Sequence, residues 1–302
     1  MSPPAVSPPA HRAGFACFVG RPNVGKSTLT NALVGTKVAI TSGRPQTTRH
    51  AVRGIVHRPD AQLILIDTPG LHRPRTLLGE RLNEVVRTAL AEVDVVGCCL
   101  PANERIGPGD RYLAAELARL RTPVLAVVTK ADLMDADRLG AHLLAVTELH
   151  DWAEVVPISA TSGYQVELLA DLLVARLPAG PPLYPEGELT DEPEATMVSE
   201  LIREAALEGV RDELPHSLAV VVEEMSRRPD KDLVDIHAIL YVERPSQKPI
   251  VIGAGGARLK TVGTVARHQV QNLLGSPVFL ELHVKVAKDW QRDPKQLRRL
   301  GF

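Results

Sequence analysis

The chain has 302 residues, of which 44% are hydrophobic and 24% charged, and its formal net charge is −1. This length allows two domains, and the composition is that of an ordinary globular protein. No run of about 18 apolar residues occurs, so the sequence predicts no membrane-spanning helix. The three cysteines form no C-x-x-C pair, which favours buried, reduced thiols in a cytoplasmic protein.

The balanced total charge hides two segments of opposite sign. Residues 186–243 carry 16 acidic and 5 basic side chains, whereas residues 244–302 carry 11 basic and 3 acidic ones. If a polyanion binds, we expect it on the basic C-terminal segment. The alternative, a solvated basic face that pairs with the acidic segment, stays open.

The first half of the chain predicts an α/β domain. Residues 1–13 begin with a Pro-rich run and predict a disordered tail. In residues 14–178, apolar runs alternate with helical patterns, which indicates a mostly parallel sheet with helices on both faces. The predicted strands are 15–19, 52–57, 63–67, 93–100, 124–129 and 155–158, and the predicted helices are 26–34, 77–91, 110–121, 136–150 and 165–176. The connection at 58–60 is too short for a crossover, so strands two and three form an antiparallel hairpin.

The second half predicts a smaller α+β domain. Residues 179–195 are rich in Pro and Gly and predict a linker. The domain that follows, residues 196–302, combines a helix near 196–210, strands at 217–224 and 235–242, an apolar strand end at 249–253, a helix at 257–273 and a strand at 278–286.

The first predicted strand leads into Gly20-Arg-Pro-Asn-Val-Gly-Lys-Ser27, the phosphate-loop pattern G-x-x-x-x-G-K-S. Such a loop surrounds the β-phosphate of a nucleotide with backbone N–H groups, and the next helix directs its positive end at the phosphates. Lys26 reaches the β/γ oxygens, and the Ser27 hydroxyl binds Mg²⁺. The predicted nucleotide contacts here are Gly20, Asn23, Val24, Gly25, Lys26, Ser27 and Thr28.

Asp67-Thr-Pro-Gly70 follows an apolar strand, 41 residues after Lys26. The Asp67 carboxylate can hold Mg²⁺ through a water, and the Gly70 N–H can bond the γ-phosphate. Taken alone, this tetrapeptide is as readily a turn that caps a strand. Next to a phosphate loop, it favours the nucleotide interpretation.

Thr129-Lys-Ala-Asp132 ends another apolar strand and predicts selection of guanine. The Asp132 carboxylate can accept hydrogen bonds from guanine N1–H and the exocyclic amine, whereas adenine N1 is itself an acceptor. Each unsatisfied buried group costs about 1–3 kcal/mol, so GTP is selected over ATP. The Lys130 stem can lie against the base, and Ser159-Ala160, at the next strand end, supplies an N–H for guanine O6.

Four motifs together resemble those of a translation-factor-related GTPase. They are the phosphate loop, Gln46-Thr-Thr-Arg-His50, Asp67-Thr-Pro-Gly-Leu71 and Thr129-Lys-Ala-Asp132. Val251-Ile-Gly-Ala-Gly-Gly-Ala257 is similar to the G-x-x-G loop of a type II K-homology (KH) domain, which clamps the backbone of single-stranded RNA. Both halves in this order resemble the Era family of bacterial ribosome-assembly GTPases, from about residue 15 to residue 302.

The resemblance implies hydrolysis of GTP to GDP and phosphate with Mg²⁺ held by Ser27, Asp67 and Thr48. Thr48 is favoured over Thr47 on resemblance alone, and the implied catalytic residues are Lys26, Thr48 and Gly70. The implied partners are small-subunit ribosomal RNA near its 3′ end and the 30S subunit. The RNA contacts would come from Gly253, Ala254, Gly255, Gly256, Arg258 and Lys260.

Three positions depart from common patterns. Thr129 stands where the family usually has Asn, and Ala254-Gly255 stands where many members carry a basic residue, for which Arg258 and Lys260 can substitute. Leu71 occupies the place of a water-orienting Gln, so we expect slow intrinsic turnover that a partner or a second cation accelerates. His72, Arg73 and Arg75 belong to a solvated segment and are not assigned to catalysis.

Two alternatives stay open. Asn23 either coordinates K⁺ near the phosphates or is a turn residue. The whole chain is either an RNA-binding GTPase or a GTPase signalling switch that acts on a protein, or on anionic lipid at the inner face of the cell membrane through its basic tail. In both cases we expect a monomer.

Overall fold

The structure is a computed structural model that describes residues 11–42, 47–71, 74, 76–210 and 214–302. Residues 1–10 of the predicted tail, together with Gln46, His72, Arg73 and Arg75, lie outside the described residues. The predicted tail ends too late, because Arg12 and Ala13 already belong to the first strand. The described residues form two compact units, each with its own sheet.

The first unit is a P-loop α/β domain and comprises the described parts of Met1–Val38, Ala51–Thr68 and Val86–Asp191. Its strands are β1 (Arg12–Val19), β2 (Val52–Arg58), β3 (Ala61–Asp67), β4 (Val95–Pro101), β5 (Val124–Thr129) and β6 (Glu154–Pro157). Its helices are α1 (Lys26–Val34), α3 (Pro108–Leu117), α4 (Ala136–Thr147) and α5 (Val166–Val174), and α2 (Leu77–Glu92) contains the division between the units.

The strand order β2-β3-β1-β4-β5-β6 gives a sheet that is parallel except for the β2–β3 hairpin. Every residue of β3, β4 and β5 is buried, as expected for central strands covered by helices on both faces. Leu29 of α1 and Leu169 of α5 pack in one cluster with Phe18, Leu63 and Leu125 of the sheet. The predicted mostly parallel fold and its antiparallel hairpin are confirmed.

The second unit comprises Ala39–His50, Pro69–Val85 and Glu192–Phe302 in its described parts. Its elements are α6 (Glu194–Leu207), α7 (Leu214–Ser217), β7 (Ala219–Arg227), β8 (Val234–Val242), α8 (Gln247–Ile252), α9 (Ala257–Leu274), β9 (Val278–Val286) and α10 (Pro294–Arg299). Strand β8 is central, antiparallel to β7 and parallel to β9. Side chains of α6 and α9 share a core with β8. Residues 39–50 and 69–85, which the predicted boundaries assign to the first domain, group with this unit.

The predicted strand end at 249–253 is wrong, because this segment forms helix α8. The Gln247 side chain fixes the start of the helix: its amide oxygen accepts from the N–H groups of Glu243 and Arg244, both at 2.9 Å, and its amide nitrogen donates to Ser217 Oγ at 2.9 Å. Val251 is then buried, whereas its neighbour Ile250 is 55% exposed. A short apolar run does not by itself distinguish a strand from a buried helical turn.

In the described part of the chain, no helix combines the length and the apolar character needed to cross a bilayer.

Candidate nucleotide-binding site and KH loop

The predicted nucleotide contacts of the first unit follow the ends of four strands. The phosphate loop follows β1, Asp67 ends β3, Thr129 ends β5, and Ser159 lies two residues after β6. These strands run parallel, so their carboxyl ends lie at one edge of the sheet. The fold therefore brings together motifs that are up to 140 residues apart in sequence.

The phosphate loop has a backbone that depends on glycine at two positions. Gly25 has a φ of 101°, in the left-handed region that glycine adopts without strain. A Cβ at Gly20 would lie 2.8 Å from both the Cys99 carbonyl oxygen and Val24 Cγ2, so no side chain fits there. Asn23 also has a positive φ, 65°, which Asn tolerates better than most residues.

Lys26 is buried at the start of α1 and its ammonium is bonded to the loop itself. Its Nζ donates to the carbonyl oxygens of Gly20 at 3.3 Å and Arg21 at 3.1 Å. Burial lowers the pKa of Lys26, and the nearby charge of Asp67 opposes that shift. The Lys26 ammonium therefore lies inside the phosphate loop.

Ser27 and Asp67 form a pair of hard oxygen donors. The Ser27 hydroxyl donates to Asp67 Oδ2 at 2.6 Å, and Asp67 is completely buried. A hydroxyl and a carboxylate suit Mg²⁺, which typically takes few protein ligands and keeps phosphate and water oxygens. The described residues contain no group of three or more His, Cys, Asp or Glu that could hold a metal. Because Mg²⁺ takes few protein ligands, this pair of donors fits a metal bound jointly with a nucleotide.

Two hydrogen bonds join the guanine motif to the phosphate loop. Thr129 Oγ1 donates to the Val24 carbonyl oxygen at 2.6 Å, and Lys130 Nζ donates to the Asn23 carbonyl oxygen at 2.9 Å. Asp132 lies in the 3₁₀ turn that follows and its side chain is exposed. The two motifs therefore lie side by side, as one mononucleotide would require.

The Ser159-Ala160 segment is fastened to the same network. The Ala131 N–H donates to the Ile158 carbonyl oxygen at 3.0 Å, which ties the guanine motif to the end of β6. The Ser159 N–H donates to the Tyr164 carbonyl oxygen at 3.0 Å, and Ser159 Oγ accepts from the Ser162 N–H at 3.2 Å. Residues 159–164 thus form a compact loop beside Asp132.

Thr48 and Gly70 belong to segments that group with the second unit. Thr48 is 8% exposed there. On its N-terminal side, the Arg203 guanidinium of α6 donates to the Thr47 carbonyl oxygen. Earlier in the same loop, the Thr41 N–H donates to Glu204 Oε1 at 2.8 Å. Helix α6 thus holds the loop at two points.

Arg49 is a buried, fully engaged arginine to which the sequence analysis assigns no role. It is 1% exposed, and its guanidinium donates to the carbonyl oxygens of Leu218 at 2.6 Å, Pro215 at 3.0 Å and His216 at 2.9 Å. It also lies over the rings of Trp290 and Phe302, 5.6 and 5.7 Å from their centroids. Burial lowers its pKa to about 9. The only sequence signal was its place after Thr48 in the Gln46–His50 motif.

The G-x-x-G loop of the second unit has an open side. Gly253, Gly255 and Gly256 have φ values of 76°, 57° and 82°. A Cβ at Gly253 would lie 2.6 Å from Arg258 Cβ, so glycine is required there. At Gly255 and Gly256, a Cβ would meet nothing within 4 Å. This leaves space in front of the N-terminus of α9 for a phosphodiester backbone.

Arg258, a predicted RNA contact, is engaged within the protein. Its NH2 group donates to the carbonyl oxygens of Ala206 at 3.0 Å and Glu208 at 2.7 Å, at the end of α6. Lys260, two residues further along α9, is exposed. Six further basic side chains of the C-terminal segment are exposed: Lys285, Lys288, Arg292, Lys295, Arg298 and Arg299.

Comparison with known proteins agrees with this architecture. Residues 15–130 match the family described as 50S ribosome-binding GTPase, and residues 213–291 match the KH domain family. The chain is 72% identical to GTPase Era of Streptomyces coelicolor, with 97% of this chain and 95% of the relative covered. It is 66% identical to GTPase Era of Mycolicibacterium smegmatis, over 96% of this chain and 99% of that one.

Solved structures give the same result. A crystal structure of Era in complex with MgGDPNP and nucleotides 1506–1542 of 16S ribosomal RNA matches with a TM-score of 0.93 and 38% identity, covering 96% of this chain and 99% of the other. A point variant of Aquifex aeolicus Era bound to GDP and AlF4⁻ matches with a TM-score of 0.93 and 37% identity over the same shares. The fold and the motifs define a P-loop GTPase domain followed by a KH domain. Within that class, the chain belongs to the Era family of GTPases.

Proposed function

We propose that this protein binds GTP with Mg²⁺ at the carboxyl edge of its six-stranded sheet, hydrolyses it to GDP and phosphate, and binds small-subunit ribosomal RNA near its 3′ end during assembly of the 30S subunit. The observation that carries the nucleotide part is the pair of bonds from Thr129 and Lys130 to the phosphate loop. Family membership and the Era–RNA complex among the structural relatives support the RNA part.

Phosphoryl transfer in this site would depend on positioning and charge neutralisation. Lys26, already desolvated, would move its ammonium from the loop carbonyls to the β/γ oxygens. Mg²⁺, held by Ser27 and Asp67, would supply Lewis-acid stabilisation of the same oxygens. Leu71 cannot orient water, so slow intrinsic turnover is expected.

Base selection would come from Asp132 and phosphate binding from the loop. The Asp132 carboxylate is exposed, and Ala160 would add an N–H toward guanine O6. Thr129 uses its hydroxyl on the Val24 carbonyl oxygen, so it cannot also donate to the base. Guanine selectivity would therefore depend mainly on Asp132.

Thr48 and Gly70 remain predicted γ-phosphate and Mg²⁺ contacts. Their segments group with the KH elements. Thr48 lies between two bonded neighbours, because Thr47 accepts a hydrogen bond from Arg203 and Arg49 donates one to the Leu218 carbonyl oxygen.

For RNA, the open face at Gly255 and Gly256 supports backbone contact, with Lys260 exposed in the first turn of α9. We assign GTPase function to residues 14–178, a linker to 179–195 and RNA binding to 196–302. Arg258 would act by holding the loop rather than by touching phosphate, because its guanidinium is bonded to α6.

Filter binding of a 16S rRNA 3′-end oligonucleotide tests the RNA proposal. Affinity should fall steeply as salt rises, because bound lysines and arginines release counterions. Gly255→Asp should abolish binding by placing a carboxylate among phosphates. Gly275→Asp is the matched control, since Gly275 also has a positive φ, 62°, and open space around its Cβ position. Equal loss in both variants, or none in either, would contradict the proposal.

Three finer properties stay predictions. Coordination of K⁺ by Asn23 predicts faster hydrolysis in K⁺ than in Na⁺, and equal rates in the two salts would remove the idea. Peripheral binding at the inner face of the cell membrane predicts sedimentation with anionic vesicles. We also expect a cytoplasmic protein that is a monomer. The monomeric state predicts a single species of 32.7 kDa by light scattering. The signalling-switch alternative is not favoured by membership in the Era family.

A further inference from the structure

Arg21, the second residue of the phosphate loop, points its side chain away from the loop interior and onto α3. Its Nε donates to Asp110 Oδ1 at 2.7 Å, and its NH2 group donates to Glu104 Oε2 at 2.9 Å. Asp110 is only 2% exposed, whereas Glu104 is 43% exposed. The guanidinium therefore bridges one buried and one exposed carboxylate.

The buried carboxylate is itself part of the start of α3. Asp110 Oδ2 accepts from the Gly107 N–H at 2.8 Å, so one oxygen caps the helix while the other holds Arg21. A buried carboxylate is costly unless both oxygens have partners. The positions of the phosphate loop and of the α3 N-terminus are therefore set by one group.

The main chain of Arg21 contacts the lysine of the loop. Its carbonyl oxygen accepts from Lys26 Nζ at 3.1 Å. One residue thus contacts the loop's cation through its backbone and α3 through its side chain. The end of the loop near Val24 is fixed separately, by Thr129.

The loop needs anchors at both ends because part of its backbone is left-handed. Asn23 has a φ of 65°, a conformation that Asn adopts more readily than most residues but that still costs energy, so the surroundings help to hold it. The nest of N–H groups that receives a phosphate exists only in that conformation. Arg21 supplies the anchor that the Thr129 and Lys130 bonds do not.

We propose that Arg21 is a positioning residue for nucleotide binding: through Asp110 and Glu104, it holds the phosphate loop and Lys26 in the shape that receives a diphosphate. This inference rests on the proposed function, since it assumes that the loop binds a nucleotide. It adds that α3 is part of the phosphate site, so that a shift of the α3 N-terminus changes phosphate affinity.

The test compares Arg21→Met with Arg58→Met in the full chain. Arg58 is the control for loss of a guanidinium that bridges two carboxylates, here the exposed Glu167 and Asp171, and it joins β2 to α5. We expect Arg21→Met to weaken GDP binding about tenfold or more, since the loss of even one charge-assisted hydrogen bond to a phosphate corresponds to about that change in affinity. The ratio of GDP to ADP affinity should not change, because Asp132 is untouched.

Three further measurements separate positioning from simple stabilisation. Arg21→Met should raise the KM for GTP more than it lowers kcat, and Arg21→Lys, which can still pair with Asp110, should restore most of the affinity. Glu104→Gln removes only the exposed half of the bridge and should weaken GDP binding measurably but modestly, by about two- to fivefold. This variant keeps the buried Arg21–Asp110 pair, so its GDP affinity tests the inference even if Arg21→Met does not fold.

Unchanged GDP affinity in Arg21→Met and Glu104→Gln, or equal losses in Arg21→Met and Arg58→Met, would overturn the inference while leaving the proposed function standing. Failure of the wild-type protein to bind GDP would instead overturn the proposed function. The two failures are therefore distinguishable in one set of titrations.

Discussion

The hydroxyl of Thr129 makes the bond on which the joined nucleotide site depends, and Thr129→Val removes it with little change in volume. Thr129 is 2% exposed and Val24 is 1% exposed, so water cannot replace the lost donor. The bond is short, 2.6 Å from Oγ1 to the Val24 carbonyl oxygen. The substitution therefore leaves a buried acceptor without this partner.

An unsatisfied buried acceptor costs about 1–3 kcal/mol, so the first unit should lose about that much free energy of unfolding. The loss of GDP affinity should be smaller, about tenfold at most (about 1.4 kcal/mol), because the bond is present without nucleotide and only the ordering of the loop is affected. The preference for GDP over ADP should not change, since Asp132 stays in place.

Hydrogen exchange of the β1 and β5 amides measures the stability of the first unit by itself, and titration with a fluorescent GDP analogue measures affinity. Thr129→Ser keeps the hydroxyl and is the control. Wild-type stability in Thr129→Val, or loss of base preference together with affinity, would refute the reasoning that this hydroxyl tethers the loop and takes no part in reading the base.

Three other outcomes follow from the structure. Thr129→Asn should tighten GDP binding, by up to about tenfold for one added neutral hydrogen bond (about 0.5–1.5 kcal/mol), and unchanged affinity in the same titration would show that the amide finds no new partner. Arg49→Met removes the donor of three carbonyl hydrogen bonds in the second unit and should lower its free energy of unfolding by about 3–5 kcal/mol. Hydrogen exchange of the β7 and β8 amides measures this loss. A loss below about 1 kcal/mol would show that these three bonds do not stabilise the unit. Burial alone would raise the pKa of Glu200, but its ion pair and hydrogen bond with Arg203 outweigh burial and lower it. Its stabilising effect is thus complete above about pH 4.3 and lost as the pH falls, so Glu200→Gln should flatten the acid branch of the stability curve, and parallel curves would contradict this.

The nucleotide site was predictable because its motifs follow strand ends. Parallel strands place their carboxyl ends together, so Asp67 and Asp132 could be assigned to one site before any coordinates. The links between motifs were less accessible. Nothing in the sequence pairs Thr129 with the Val24 carbonyl oxygen, or Arg21 with Asp110, because such contacts depend on tertiary geometry.

The second unit shows where pattern reasoning fails. The run at 249–253 has the composition of a strand, and only the Gln247 side chain, with partners just after β8 and in α7, explains why it is helical. The grouping of residues 39–50 with the KH elements was also beyond reach, since it depends on Arg49 finding carbonyl oxygens about 170 residues away. The prediction that Arg258 contacts RNA rests on its charge and on its place just after the G-x-x-G loop, and neither can reveal internal carbonyl partners.

The most direct test of the account is competition among GDP, ADP and xanthosine diphosphate on the wild-type protein and on Asp132→Asn. We expect the wild type to prefer GDP strongly, and the variant to lose GDP affinity and gain affinity for the xanthine nucleotide, because an amide can donate where the carboxylate could only accept. Equal binding of ADP and GDP by the wild type, or an unchanged preference for GDP in the variant, would contradict a base-reading role for Asp132 and with it the nucleotide site described here.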